Sequence, residues 1–139
     1  MALQINAYLN FKGTCREAMT FYQQCLGGEL TLQTVAETPM AAQCPAGMQH
    51  HIMHSMLISG GMVLMGSDMI GPDGFIPGND VTLSVGGGSI QETEALFNKL
   101  AEGGQIAEPF KEMPWGAKFG AIADKFGKRW MFNSEINGK

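Results

Sequence analysis

Apolar residues alternate along positions 2–12: Leu3, Ile5, Ala7, Leu9 and Phe11 fall on one side, Tyr8 and Asn10 on the other. A period of two predicts a half-buried strand. The pattern then changes. After Thr14 the apolar positions Ala18, Phe21, Tyr22, Cys25 and Leu26 recur at helical spacing, and the stretch stops at Gly27-Gly28. Glu29–Val35 is rich in strand formers, and 36–50, with two prolines and no clean period, reads as a long mobile loop. His51–Ser59 and Met62–Ser67 read as two strands joined by a tight Gly60-Gly61 turn.

The same order then returns. A strand over 80–86 leads to a helix over 90–102 that ends at Gly103-Gly104, a strand over 105–112, and a hairpin over 117–135 turning at Asp124-Lys-Phe-Gly127. Thr14-Cys-Arg-Glu17 and Ser89-Ile-Gln-Glu92 both match the capping box, in which the hydroxyl accepts an early backbone N–H and the Glu reaches back. Both helices stop at a glycine pair, the residue that enters the left-handed region without a side-chain clash. Each signal is common alone, but the shared order of strands and turns argues for an internal repeat. The reading is α+β: two βαβββ modules, about 1–70 and 80–137, joined by the turn-rich stretch 71–79 and folding a curved mixed sheet around a cleft. A cleft implies a small-molecule ligand.

Composition narrows the class. A chain of 139 residues, 45% hydrophobic and 16% charged, suits one globular domain. A net charge of −4 argues against nucleic acid, which needs a basic footprint. The longest apolar tract, Met56 to Met65, is broken by Ser59-Gly60-Gly61 and is too short to span a bilayer. No basic stretch precedes an apolar one at the N-terminus, so no signal peptide is expected. Three cysteines at 15, 25 and 44, in no metal-type or redox-type spacing, read as free thiols in the cytoplasm.

Few residues stand out chemically. His50, His51 and His54 lie within five positions. On a strand, residues four apart are separated by about 13 Å, too far to share an ion with Zn–N bonds near ~2 Å. His54 is left as a lone polar side chain in a strand, a ligand contact or a hydrogen-bonded rim histidine. Asp68, after Met65-Gly66-Ser67, is a turn former or a strand-end functional group. Trp115, Phe119 and Trp130, with Lys118, Lys128 and Arg129, offer a stacking surface or ordinary core with snorkelling cations. Cys15 sits at a helix start, where the dipole favours a thiolate. There is no dinucleotide fingerprint, P-loop or nucleophile elbow.

Together, Tyr8-Leu-Asn-Phe11-Lys-Gly13, Ala18, Phe21-Tyr22, Leu26-Gly27-Gly28-Glu29-Leu30, Cys44-Pro45-Ala-Gly47-Met48, His54, Ser67-Asp68, Trp115-Gly-Ala-Lys-Phe119-Gly120 and Asp124-Lys-Phe-Gly127-Lys-Arg-Trp130-Met131 make a pattern. It resembles the PhnB-like branch of the vicinal oxygen chelate superfamily, relatives of glyoxalase, bleomycin-resistance protein and extradiol dioxygenase. Sequences of this branch are often labelled demethylubiquinone methyltransferase-like, but this chain has no glycine-rich loop for a methyl donor. The resemblance implies two βαβββ modules and a homodimer. It also implies, in metal-dependent members, His, Glu or Gln ligands on the first and last strands of each module. Matching the strands to those of the family puts Ala7, Met65, Asp80 and Met131 at those positions, within a register shift of one or two residues, with Glu135, Asn10 or His54 as residues that could be recruited instead. Thioether and methyl groups are poor ligands for hard or borderline divalent ions.

The expectation is therefore a metal-free protein with no cofactor, binding a small molecule among Tyr8, Asn10, His54, Asp68, Trp115, Phe119 and Arg129. A divalent ion in a relocated site stays open. So does an isomerase, lyase or dioxygenase-type enzyme using His54 as base, and a resistance protein that sequesters a drug.

Overall fold

The computed structural model describes residues 3–136. Residue 2 of the expected first strand and residue 137 of the expected second module lie outside that range. The chain divides between Ile76 and Pro77 into two compact units. The first contains β1 (Ala7–Asn10), α1 (Cys15–Leu26), β2 (Glu29–Thr34), β3 (Ile52–Ser59) and β4 (Met62–Ser67). The second contains β5 (Leu83–Val85), α2 (Ile90–Ala101), β6 (Gln105–Met113), β7 (Ala117–Ala123) and β8 (Arg129–Glu135). Each is a βαβββ module, so the class is α+β as the repeat implied.

The two sheets share one permutation. Their orders are β1-β4-β3-β2 and β5-β8-β7-β6, and in each the first strand runs parallel to the last while the other pairs are antiparallel. The helix of each unit covers one sheet face. Under α1 lie Ser55 and Leu57 of β3 and Leu64 and Gly66 of β4, packed on Cys15, Ala18, Met19, Phe21 and Tyr22. Under α2 lie Gly120, Ile122, Trp130 and Phe132, with Phe97 edge-on to Phe132 at 5.3 Å between ring centroids. Because strand side chains alternate, the intervening residues stand on the open face.

Both glycine pairs are explained by close approach as well as by helix ending. A Cβ on Gly28 would collide with the carbonyl oxygen of Ile58, and one on Gly104 with that of Ala123. Ile58 and Ala123 sit near the ends of β3 and β7, which correspond in the two modules. The repeat in sequence is thus a repeated steric requirement.

Four expectations are corrected. β1 is confined to 7–10, and Leu3 and Ile5 stand fully exposed at 101% and 102% instead of continuing its buried side. The strand expected over 80–86 shortens to 83–85. The loop 36–50 is built from three 3-10 turns over 35–37, 39–43 and 46–48. Gln49 closes it by donating from Nε2 to the carbonyl of Ala41 at 2.9 Å, while Val35 N–H donates to His51 O. At its start Glu37 accepts the Thr34 backbone N–H at 2.8 Å and the Thr34 hydroxyl at 2.9 Å. The backbone bond first, then the hydroxyl, hold its carboxyl below the usual range. That contribution is present above the ordinary carboxylate value and is lost as pH falls through the lowered one.

The fourth correction concerns helix capping. Ser89 and Glu92 form the expected box at α2, at 3.1 Å in both directions. Thr14 makes no side-chain cap at α1. Asp68 does that work from 53 residues away: its Oδ1 accepts the Cys15 N–H at 3.0 Å, and its Oδ2 accepts the Ile52 N–H at 2.8 Å. Its own N–H donates to Ile52 O at 2.8 Å. A carboxylate at a helix N-terminus is further favoured by the helix dipole. In the second unit Asp124 makes the turn expected of it, accepting N–H groups of Phe126 and Lys128, and its Oδ2 also accepts the buried Trp130 indole N–H at 2.8 Å.

Asp68→Ala leaves two buried N–H groups without acceptors, each costing roughly 1–3 kcal/mol, so urea unfolding should show a loss of about 3 kcal/mol. Asp68→Asn, which keeps one carbonyl oxygen, should lose clearly less; equal midpoints for wild type and Asp68→Ala would refute the role. Gly28→Ala and Gly104→Ala should each cost about 2 kcal/mol by overpacking, read as a Tm drop of several degrees. Gly61→Ala, which meets nothing within 4 Å, serves as control.

Candidate functional site

The open face of the first sheet carries its reactive side chains in two rows. Register places Tyr8, Met65, Met56 and Thr31 in line across β1, β4, β3 and β2, and pairs His54 with Gln33 in the next row. The Tyr8 hydroxyl lies 3.2 Å from His54 Nδ1, with the rings 5.7 Å apart. Since β4 lies between β1 and β3, the tyrosine reaches across that strand to the histidine. The couple has two protonation patterns. With Nδ1–H donating to the phenol oxygen, Nε2 is left with a lone pair; with the phenol donating, Nε2 carries the proton. Either pattern offers a ligand one donor and one acceptor beside thioethers and Ile58.

Of the other first-unit candidates, Asn10 stands at the end of β1 on the Tyr8 side, exposed. Asp68 is 3% exposed with both oxygens on backbone N–H groups, so it holds the fold and does not present itself to a ligand. Cys15 is wholly buried beside the Ser55 hydroxyl at 3.5 Å, which removes it as a nucleophile. His50 and His51 precede β3. Of the three histidines only His54 lies on a strand.

In the second unit Trp115, 64% exposed in the turn before β7, meets Phe119 edge-on at 6.1 Å. Phe119, Met131 and Arg129 fall on the open side of their strands, while Trp130 is core. Lys118 Nζ stands 5.3 Å from the Phe110 ring centre, a cation held over an aromatic ring.

Register also tests the metal positions. Ala7 lies on the helix-covered side of β1, and Asp80 lies outside β5. The first- and last-strand residues that pair on the open faces are Tyr8 with Met65 and Ser84 with Met131. Ala7 is thus one residue from the open face of β1, a step that exchanges the two faces of a strand, and Asp80 precedes the shortened β5. Neither pair supplies the His, Glu or Gln a divalent centre requires, and Glu135 and Asn10 stand at strand ends. Among the described residues no group of three or more His, Cys, Asp or Glu is placed to hold a metal ion. The donor set does not fit such a centre. Met56, Gln33 and Ser84 were not singled out in the sequence; period-two counting from His54 would have found Met56, whereas Gln33 and Ser84 needed the cross-strand register.

The βαβββ repeat and the position of its open faces define a protein class, and the match is explicit: residues 4–132 fit the Glyoxalase/Bleomycin resistance protein/Dioxygenase superfamily, to which this chain belongs. Within it, the chain is 34% identical to Protein YjdN of Escherichia coli (strain K12), over 94% of this chain and 95% of that one. Protein PA1353 from Pseudomonas aeruginosa has a similar structure, at a TM-score of 0.85 and 40% identity over 96% of this chain and 98% of that one. The PhnB protein from Bacillus cereus follows at 0.70 and 25%, over 95% and 99%.

Proposed function

We propose that this chain is a small-molecule-binding member of the superfamily that works without a divalent metal centre, taking its ligand on the open face that carries Tyr8 and His54. The observation behind this reading is the Tyr8–His54 couple itself, a donor–acceptor pair set beside Met56, Met65 and Ile58. A few placed polar groups on an apolar surface are what small-molecule sites are made of. The ligand chemistry it suits is a compact oxygenated molecule whose carbonyl or hydroxyl meets the couple while its apolar body rests on the thioethers. Trp115 and Phe119 are assigned as an aromatic contact surface of the second unit. That Cys15, Cys25 and Cys44 form no disulfide suits a cytoplasmic protein.

Screening oxygenated and aromatic acids by thermal shift and ligand-observed NMR should give binders. Tyr8→Phe and His54→Gln should weaken them by up to about tenfold, the worth of one hydrogen bond near 1 kcal/mol, with no turnover in any form. Turnover that His54→Gln abolishes would replace this reading with the enzyme in which His54 is the general base. Equilibration with Mn, Fe, Ni and Zn followed by desalting should leave no stoichiometric ion; one ion retained per chain would overturn the metal-independent reading.

We also propose a homodimer. β1 is the edge of its sheet, and the fully exposed Leu3 and Ile5 precede it. An apolar segment beside an open strand edge is what a second copy would cover. Light scattering after gel filtration should give twice the 15.0 kDa of one chain, and Leu3→Asp with Ile5→Asp should shift it to the monomer mass. A monomeric wild type would refute it.

A further inference from the structure

We propose that the open face of the first sheet binds a soft monovalent metal ion, Cu(I) or Ag(I), through the thioethers of Met56 and Met65 and the imidazole of His54. The softness that disqualifies methionine as a ligand for Mn, Fe or Zn is what such an ion selects. Met56 and Met65 are direct cross-strand partners, which places their Cβ atoms about 4.5–5.5 Å apart. His54 lies two residues from Met56 on the same strand face, about 6.6 Å away, and diagonal to Met65 at roughly 7–8 Å. The buried neighbours Leu57 and Leu64, also paired, mark the face under α1, so the two half-buried methionines are on the face away from the helix. Methionine has three rotatable bonds, enough for two such side chains to converge on a point above the sheet.

The second observation is the support of the histidine. A metal-bound imidazole is normally oriented by a hydrogen bond from its other nitrogen. Here the Tyr8 hydroxyl is 3.2 Å from Nδ1. An ion on Nε2 selects the pattern in which Nδ1–H donates to Tyr8. Two thioethers and one supported imidazole form a three-coordinate set with no carboxylate in it. This site does not depend on the small-molecule reading, because the ion itself is the probe.

The half-buried thiols of Cys25 and Cys44 would compete for the ion, so the test uses the full chain with Cys25→Ser and Cys44→Ser. Anaerobic titration of Cu(I) against bicinchoninate should show one ion per chain. Met56→Leu or Met65→Leu alone should weaken binding about tenfold and the pair at least a hundredfold, while circular dichroism confirms that these near-isosteric changes keep the fold. With methyl-labelled methionine, one equivalent of Ag(I) should shift the ε-methyl signals of Met56 and Met65 ahead of the other methionines, and Tyr8→Phe should weaken the ion without moving those signals' positions in the free protein. Equal Cu(I) affinity in the double variant, or first shifts at other methionines, would overturn the site. Either result leaves the organic-ligand screen to be judged separately.

Discussion

A single buried carboxylate governs the geometry of the first unit. Asp68 joins the N–H of Cys15, where α1 begins, to the N–H of Ile52, where β3 begins, and returns its own N–H to Ile52. Next to it the Phe11 N–H donates to Ser67 O, carrying the β1–β4 pairing past the last strand residue. These bonds hold the ends of β1, β3 and β4 in the register that their ladders show. A slip of one residue would turn every side chain to the other face. It would bury His54 and Met56 against α1 and expose Ser55 and Leu57. The Tyr8–His54 couple thus depends on the β1–β4 and β3–β4 registers, and Asp68 anchors the start of β3 in that arrangement. Asp124 is a local counterpart in the second unit, locking the β7–β8 turn to the indole of Trp130.

Duplication shapes the rest. The same strand permutation in both units leaves each helix on one face of its own sheet. The helix-covered faces need tight packing, which is why Gly66 and Gly120 occur under Met19, Phe11 and Phe97, where any Cβ would crowd its neighbours. The faces away from the helices are furnished differently in the two units. The first has a phenol, an imidazole and thioethers; the second has Ser84, Phe119, Met131 and Arg129. On the first face these side chains are polarisable or weakly donating rather than carboxylates. Those side chains are the ground on which the proposed small-molecule and soft-ion sites rest.

The α+β class, both helices, the hairpins and the order of the two modules follow from the sequence alone, because hydrophobic period, helix stops and turn residues are local signals that adjacent residues carry. Ser89 with Glu92 and Asp124 with Gly127 are of this kind, since each acts within four residues. His54 could be singled out for the same reason: it interrupts an apolar strand. Other features were beyond local reading. Thr14 has the spacing of a cap, yet the cap is supplied from position 68, and no local pattern encodes a bond across 53 residues. The loop 36–50 lacks periodicity because 3-10 turns held by Gln49 and Glu37 have none to show. Tyr8 and His54, 46 residues apart, became a couple, and Met56 and Met65 neighbours, only when strand order and register were set. Sequence determined what each segment is; tertiary structure decided which side chains meet, since face and partner depend on pairings between strands distant along the chain.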